Sequence, residues 1–579
     1  MRVAKPWRTL AAAGLLVLGA IVLAPQAESQ RSTQGRSMTV TRGGIAAAES
    51  PLAAQAGAQA LARGGSAVDA AIATNAVMGV VSPMMNGIGG DLFAIVYDAK
   101  TGKRYGMNAS GWAPKALTPE FLHGKGIDAM PEFGIQTVTV PGAVDGWIKL
   151  HERFGRRPLA EDLSAAIHIA EDGFPVTEWV ALYWSKSVLD SHEDPAATKL
   201  YLPSGRPPRV GEIFRNPELA AALRRIAASG HDGYYRGETA QKILAAESRF
   251  GGTMTADDLA AYSAEWAEPI STDYRGWTVY EMPPNGQGIA ALLMLNIMGQ
   301  FDFSKFRQNS ADALHIEIEA KKLAYADMRH YVADPRFAKT PVAQLLAADH
   351  TSARAAKLDL QRANCNVDPL PVQTASAGEP APVTLPLKAG DTTFLTTVDK
   401  DGNMVALIQS NYDHFGSGIV ADGAGFALHN RGALFTLDPK SPNVLAGRKR
   451  PLHTIIPAQM EKGDIRVAFG IMGGWNQSQA HAQFVANVVD FGMNLQAALE
   501  APRFTKITFD GCDVQMEDRI PADVRAALEA RGHKIQLHAG YSSSFGGGQA
   551  VMRDFATGVN YGASDPRKDG AAIPEPAPQ

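Results

Sequence analysis

Apolar and polar residues near the start of the folded chain follow a helical period with unusually small side chains. The pattern predicts two helices, Leu52–Arg63 and Ser66–Val80. Ser50 and Pro51 are residue types that favour the start of the first helix. A glycine-rich segment follows, and then a predicted strand at Ala94–Tyr97. Side chains this small indicate two closely packed helices.

Residues 145–330 are dominated by the helical period, as at Leu159–Glu171, Pro217–Ala228 and Ala311–His330. The pattern then changes to a proline-, alanine-, threonine- and valine-rich stretch without any period. Such a composition predicts a flexible, exposed linker over residues 366–391.

After the linker the pattern becomes that of strands alternating with helices. Thr392–Val398 and Met404–Ser410 read as two strands joined by the turn Asp399–Asn403. A strand at Ile465–Phe469 and a helix at Gln477–Phe491 follow. The last residues, 569–579, are predicted to form a disordered tail.

The bulk composition is that of a large globular protein. The chain has 579 residues, too many for one simple core, and 45% of them are hydrophobic. The formal net charge is −4 and no basic stripe is present, so no nucleic-acid partner is expected.

The N-terminus has the pattern of a targeting segment. Arg2, Lys5 and Arg8 precede the apolar run Thr9–Ala24. This predicts a signal peptide over residues 1–27 and a periplasmic or secreted protein with no stable membrane anchor. A retained anchor is the alternative, although the run is short for a transmembrane helix.

Cysteines and histidines give no metal signature. Cys365 and Cys512 could pair in an exported enzyme, but they have no zinc-site spacing, and we interpret both as structurally incidental. Histidines 414, 429 and 453 show no HxH or HExxH spacing. We therefore expect neither a metal nor another cofactor.

The junction Asp391-Thr392 is a candidate for self-cleavage, because a hydroxyl residue directly follows the linker and begins a strand. Cleavage there would leave the new amine of Thr392 beside its hydroxyl, where it can act as general base. If Asp399 pairs with Asn403 in the turn, Thr392 lies opposite Ser410, which could orient the nucleophile. The alternative is an ordinary Thr–Ser pair in a hairpin.

Gly473 and Gly474 are candidates for an oxyanion hole. They follow a predicted strand and precede a helix, where backbone amides point into a positive potential. A plain strand-to-helix turn is the alternative.

These features occur together in a pattern that resembles the γ-glutamyltranspeptidase family over nearly the whole mature length. Each matching motif is weak alone, but their order and spacing are those of the family. The motifs are Ser50–Ala53, Gly64–Ala71, Gly87–Gly90, Val140–Ala143, Ala324–Asp327, Asp391–Thr393, Val398–Asn403, Phe415–Gly418, Arg450-Pro451, Met472–Gly474, Ala501–Phe504 and Tyr561–Arg567.

The resemblance implies an α+β fold, the four-layer αββα sandwich of the N-terminal-nucleophile hydrolases. It implies one precursor that splits into a large subunit, residues 28–391, and a small subunit, residues 392–579. Thr392 would be the nucleophile, Ser410 would replace the family's supporting threonine, and Gly473 and Gly474 would lie near the oxyanion.

The chain departs from the family where glutathione-cleaving members bind the glutamyl group. Ser110 stands in place of the arginine that clamps the α-carboxylate, and a serine cannot form a bidentate pair. Leu434 matches the aspartate that holds the α-amine, and His453-Thr454 match a serine pair. Arg431 either replaces the missing clamp or is a surface loop residue.

The main interpretation is therefore an exported amidohydrolase that cleaves γ-glutamyl or related small amides, similar to glutathione hydrolases and γ-glutamyltransferases. A first alternative is an acylase or oxamate-amidohydrolase-like enzyme without γ-glutamyl specificity. A second is an inactive exported binding protein with the same fold.

Overall fold

The protein is built from two stacked β-sheets covered by helices on both outer faces. The structure, a computed structural model, describes residues 34–187, 194–372 and 391–577. The two large sheets have seven strands each. They face each other closely, since a Cβ atom at Gly470 of one sheet would lie 2.4 Å from the ring of Phe394 in the other. The expected four-layer αββα sandwich is confirmed.

The first sheet carries the strand that begins at the predicted cleavage junction, at its centre. All neighbouring strands in this sheet are antiparallel. In spatial order its strands are Ala571–Pro574, Ile45–Ala48, Asp391–Val398, Met404–Tyr412, Asp91–Asp98, Lys103–Ala109 and Glu265–Ala267.

The second sheet is also antiparallel throughout. Its strands are, in spatial order, Thr39–Thr41, Val559–Ser564, Gly548–Asp554, Ile465–Ile471, Ala458–Lys462, Trp277–Glu281 and Ile270–Tyr274. Three small sheets pair Phe174–Pro175 with Ile213–Phe214, Val420–Ala421 with Phe426–Ala427, and Phe504–Thr505 with Asp513–Glu517 and Lys534–His538.

The helices form the two outer layers. Pro51–Ala62 and Ala67–Val81 pack on the first sheet, and Gly288–Met298, Ala311–Tyr331 and Gln477–Val489 share a hydrophobic core with the second. The remaining α-helices are Pro119–Gly124, Ala143–Phe154, Leu159–Asp162, Ser164–Asp172, Glu178–Ser187, Pro195–Tyr201, Pro217–Ser229, Asp232–Tyr235, Gly237–Arg249, Ala256–Ala260, Val342–Leu345, Ala348–Ala355, Leu495–Glu500 and Ala522–Ala530.

The predicted helices and strands are present, with boundaries shifted by a few residues. Three details differ from the prediction. Ser50 precedes the first helix, but its side chain makes no capping hydrogen bond. The helical period at Leu159–Glu171 covers two helices, Leu159–Asp162 and Ser164–Asp172. The described residues between 145 and 330 also contain five strands.

The predicted disordered tail is wrong at Ala571–Pro574. Ala571–Pro574 is a strand that pairs with Ile45–Ala48 at the edge of the first sheet. Without it, the outer backbone groups of Ile45–Ala48 would lack hydrogen-bonding partners. The need to complete the sheet therefore orders a segment whose own sequence gives no clear strand signal.

Cys365 and Cys512 are joined in a disulfide, so the interpretation of both cysteines as incidental is wrong. Within the described ranges, no helix combines the length and apolarity needed to cross a bilayer. The predicted signal peptide, and the part of the predicted linker from residue 373 to residue 390, lie outside the described residues.

Candidate active site

Thr392 and Ser410 lie side by side on the two central strands of the first sheet. The Thr392 hydroxyl donates to Ser410 Oγ at 3.2 Å, and both side chains are buried. The pairing follows from the turn, because Asp399 and Asn403 are hydrogen-bonded and the register runs back from Val398 opposite Met404. The geometry suits a hydroxyl nucleophile held by a second hydroxyl, and the catalytic roles of the two residues stay predictions.

A β-bulge shapes the start of this strand. Thr393 pairs with Gln409, whereas Asp391 pairs with Tyr412, so the register shifts by one residue at Thr392. Ser410 Oγ also accepts from the Tyr412 amide at 2.7 Å, and Tyr412 has a φ of 75°. Positive φ is unfavourable for a tyrosine. The Ser410 hydroxyl thus contacts both Thr392 and the backbone of the bulge.

Gly473 and Gly474 form the turn between the strand Ile465–Ile471 and the helix Gln477–Val489. Their φ angles are 128° and 56°, values that side-chain-bearing residues adopt rarely. Within the described part of the chain, neither amide donates a hydrogen bond. Two adjacent, unsatisfied N–H groups are what an oxyanion site requires. The backbone is therefore compatible with that predicted role.

Gln287 links this turn to the predicted substrate residues, and the sequence analysis did not identify it. Its Nε2 donates to the carbonyl of Gly474 at 2.8 Å and to that of Thr454 at 2.5 Å. Ser478 Oγ also donates to the backbone carbonyl of Gln287 at 2.9 Å. Gln287 fixes the relative position of Thr454 and the glycine turn. Its only sequence signal is a glutamine between Gly286 and Gly288.

Ser110 is buried in a hydrogen-bond network that, among the described residues, includes none of the other predicted site residues. Its hydroxyl donates to Asn108 Oδ1 at 2.7 Å and accepts from Asn285 at 3.3 Å. Its carbonyl accepts from Arg450 Nε at 3.1 Å. A substrate role for Ser110 therefore stays a prediction, with its hydroxyl already engaged by two asparagines.

Arg431 is fully buried, so the interpretation as a surface loop residue is wrong. Its Nε and one terminal nitrogen donate to the two oxygens of Asp91 at 2.8 and 3.1 Å. The other terminal nitrogen donates to Thr454 Oγ1 at 2.8 Å. The guanidinium carbon lies 4.6 Å from the centre of the Tyr412 ring. Arg431 lies beside the strand Met404–Tyr412, with its charge compensated by Asp91.

His453 completes the group around Asp91. Its Nε2 donates to Asp91 Oδ2 at 2.7 Å, and the Nδ1 of His429 lies 3.3 Å from the same oxygen. Burial and then the nearby Arg431 lower the pKa of His453 to about 4. Burial opposes the ionisation of Asp91, but Arg431 and His453 outweigh it and hold its pKa well below the ordinary value. His453 is therefore a neutral donor to a carboxylate.

Asp91 is the central residue that the sequence analysis missed. It directly follows the motif Gly87–Gly90, whose resemblance to the family assigns no role to the next residue. A carboxylate at the start of a buried strand was the available signal, because such a group needs a charged or hydrogen-bonding partner.

The structure groups side chains of metal-ligand type at two other places. Among the described residues these are His315 with Glu319 and His533, and Asp69 with His151 and Asp162. Neither group includes a predicted site residue. The expectation that the enzyme needs no metal or other cofactor stays a prediction.

Comparisons with known proteins agree with this architecture. The gamma-glutamyltranspeptidase family model matches residues 53–575. The chain is 35% identical over 529 residues to the glutathione hydrolase-like YwrD proenzyme of Bacillus subtilis, covering 90% of this chain and 96% of that one. It is 33% identical over 546 residues to the oxamate amidohydrolase proenzyme of Klebsiella pneumoniae, covering 93% and 99%.

Among solved structures, the chain is similar to a cephalosporin acylase from Bacillus halodurans. The TM-score is 0.86 at 42% identity, and the match covers 93% of this chain and 97% of that one. The similar proteins therefore differ in the substrates for which they are named, while two of them are described as proenzymes.

Proposed function

The chain belongs to the gamma-glutamyltranspeptidase family, and we propose that it is a self-processing amidohydrolase with Thr392 as nucleophile. The observation that carries this proposal is the hydrogen bond between Thr392 and Ser410 at the start of a central strand. Relatives described as proenzymes support maturation by cleavage.

In the proposed processing step, Thr392 Oγ attacks the carbonyl carbon of Asp391. The peptide C–N bond breaks, and the proton of the hydroxyl ends on the released nitrogen. Water then hydrolyses the resulting ester, which restores the hydroxyl and leaves a carboxylate on Asp391. The new amine of Thr392 becomes the general base of the mature site.

In the proposed turnover, the same hydroxyl attacks the substrate amide and passes its proton to the Thr392 amine. The amides of Gly473 and Gly474 donate to the developing oxyanion, as their unsatisfied N–H groups allow. The leaving amine takes the proton, and water hydrolyses the acyl-enzyme. Ser410 positions the Thr392 hydroxyl in both steps.

The residues around the acyl group favour an amidohydrolase or acylase that is not strictly specific for γ-glutamyl groups. They favour it over a glutathione hydrolase. Ser110 and Leu434 stand where the glutamyl-binding charges are expected, and Arg431 is paired with Asp91.

We also propose export to the periplasm or beyond. The disulfide between Cys365 and Cys512 supports it, because such bonds persist mainly in oxidising compartments.

The test is to identify the first residue of the smaller fragment of the purified protein by N-terminal sequencing. We expect Thr392, and a different first residue would contradict the assignment. Thr392→Ala should stay a single chain, because no hydroxyl is available to attack, whereas Thr392→Ser should still split. An unsplit wild-type chain would favour a binding protein.

A screen against γ-glutamyl, glutaryl, oxamate and simple acyl amides then identifies the substrate.

A further inference from the structure

Asp91 lies in register with the two hydroxyl residues of the site. Asp91 is the Cα partner of Ser410 on the neighbouring strand, and directly opposite residues of an antiparallel pair share one face of the sheet. Thr392 contacts Ser410 on the other side. The three side chains therefore form a row across three adjacent strands, which are about 4.8 Å apart. A short acyl group on Thr392 has the length to reach from one end of the row to the other.

The far end of this row is a hydrogen-bonded ion pair. A guanidinium has five N–H donors, and Asp91 and Thr454 take three of those of Arg431. Asp91 Oδ2 accepts from both Arg431 and His453. The Nδ1 of His453 accepts from the amide of Ile455 at 3.3 Å. All these side chains are buried.

The charges of Asp91 and Arg431 cancel. Asp91 is an anion, Arg431 is a cation, and His453 is neutral with its proton on Nε2. A substrate carboxylate that bound Arg431 here would lie beside the carboxylate of Asp91. Two like charges in one buried site are unfavourable. An acyl group with no net charge meets no such repulsion.

We infer that Asp91 is a specificity-determining residue, which compensates Arg431 and so selects acyl groups whose far end carries no net charge. This inference rests on the proposed amidohydrolase activity. Arg431 is then not a free clamp for a substrate carboxylate, because Asp91 already neutralises its charge. Singly anionic acyl groups, such as glutaryl, are then poor substrates.

The test uses two probes of the same length that differ in one charge, glutaryl 4-nitroanilide and 4-carbamoylbutyryl 4-nitroanilide. Assays are run at pH 8, where an imidazole is ordinarily neutral. For the wild type we expect kcat/KM to favour the carbamoyl probe by more than about tenfold. Asp91→Asn keeps the shape and leaves Arg431 uncompensated. It should move this ratio by about 100-fold towards the glutaryl probe, mainly through KM.

The double variant Asp91→Asn, Arg431→Gln removes both charges and should return the ratio to near the wild-type value. This separates the charge of Asp91 from its packing, because the single and double variants share the same asparagine. Folding of each variant is checked by its melting temperature and by the appearance of the small subunit. If Asp91→Asn does not fold, the kcat/KM ratio of the two probes in the wild type still decides whether the site prefers the uncharged acyl group.

A wild-type enzyme that turns over the glutaryl probe as fast as the carbamoyl probe overturns the inference. So does a folded, split Asp91→Asn variant whose ratio is unchanged. In both cases the amidohydrolase proposal stands, since the enzyme splits and hydrolyses amides. A wild-type chain that neither splits nor hydrolyses either probe refutes the proposed activity itself.

Discussion

The disulfide between Cys365 and Cys512 joins residues on opposite sides of the proposed cleavage point at Asp391-Thr392. Cys365 would lie in the large subunit and Cys512 in the small one. Lys322 donates to the carbonyl of the adjacent Asn364 at 3.0 Å and lies 3.8 Å from the sulfur of Cys512. After processing, the two subunits would therefore be held by a covalent bond as well as by the shared sheet.

This predicts a difference between two denaturing gels. Processed protein that is alkylated before denaturation should run as one band without reductant and as two bands with it. Cys365→Ser and Cys512→Ser should each give two bands under both conditions, because either change removes the bond. Two bands from the wild type without reductant would show that the cysteines are not paired in the mature protein.

A second prediction concerns the hydroxyl of Ser410. Ser410→Ala should slow both self-cleavage and turnover by about tenfold to 100-fold, because Thr392 loses its partner and the Tyr412 amide is left unpaired. Ser410→Thr keeps a hydroxyl and should retain most of the activity. The half-time of splitting and kcat are the quantities to measure.

Ser66→Ala is the matched control for that variant. Ser66 Oγ also accepts from backbone amides, at the start of the helix Ala67–Val81. Its loss should cost about 1 kcal/mol of stability and leave both rates unchanged. Equal rate losses in the two alanine variants would mean that Ser410 acts only through the stability of the fold.

Local sequence patterns were sufficient to predict the hairpin that holds Thr392 and Ser410. The turn Asp399–Asn403 fixes the register of the hairpin. Counting back along both strands from this turn then places Thr392 opposite Ser410, 18 residues later in the chain. The same reasoning placed Gly473 and Gly474 between a strand and a helix. In each case the determining residues lie within one supersecondary unit.

The partners of Arg431 could not be predicted in this way. Asp91 lies 340 residues earlier in the chain, and nothing near Arg431 in sequence indicates a buried carboxylate. The cysteines are separated by 147 residues, so their pairing also depends on the tertiary fold. Ala571–Pro574 becomes a strand only because the edge of the sheet offers unpaired backbone groups. These contacts are set by how the layers pack.

A third prediction tests the glycine turn. Gly474→Ala should lower turnover by on the order of 100-fold, because the added methyl group crowds the carbonyl site and strains the backbone that orients the amides. Gly463→Ala is the control, since Gly463 and Gly474 have φ angles of 55° and 56° and a Cβ atom at Gly463 meets no atom within 4 Å. Both variants place an alanine at a similar positive φ, so they share the backbone strain. Near-full activity in Gly474→Ala would contradict the oxyanion assignment.

A fourth prediction concerns Asp162, a buried carboxyl close to Asp69. Burial, and then the charge of Asp69, raise the pKa of Asp162 to about 9. Glu161 acts in the same direction and Arg157 in the opposite one. In the unfolded chain an aspartate titrates near pH 4. The folded protein therefore binds a proton on Asp162 that the unfolded chain releases above about pH 4.

The sign of the effect follows from this difference. A carboxyl with a raised pKa favours the fold fully below its unfolded pKa, and that contribution is lost as pH rises to about 9. Asp162→Asn cannot ionise, so its melting temperature should exceed that of the wild type by a margin that grows between pH 5 and pH 9. Measurements in EDTA keep cations from the carboxyl pair. Asp172→Asn, an exposed neighbour, should show no such trend. A constant margin for Asp162→Asn would mean that Asp162 ionises normally in the folded protein.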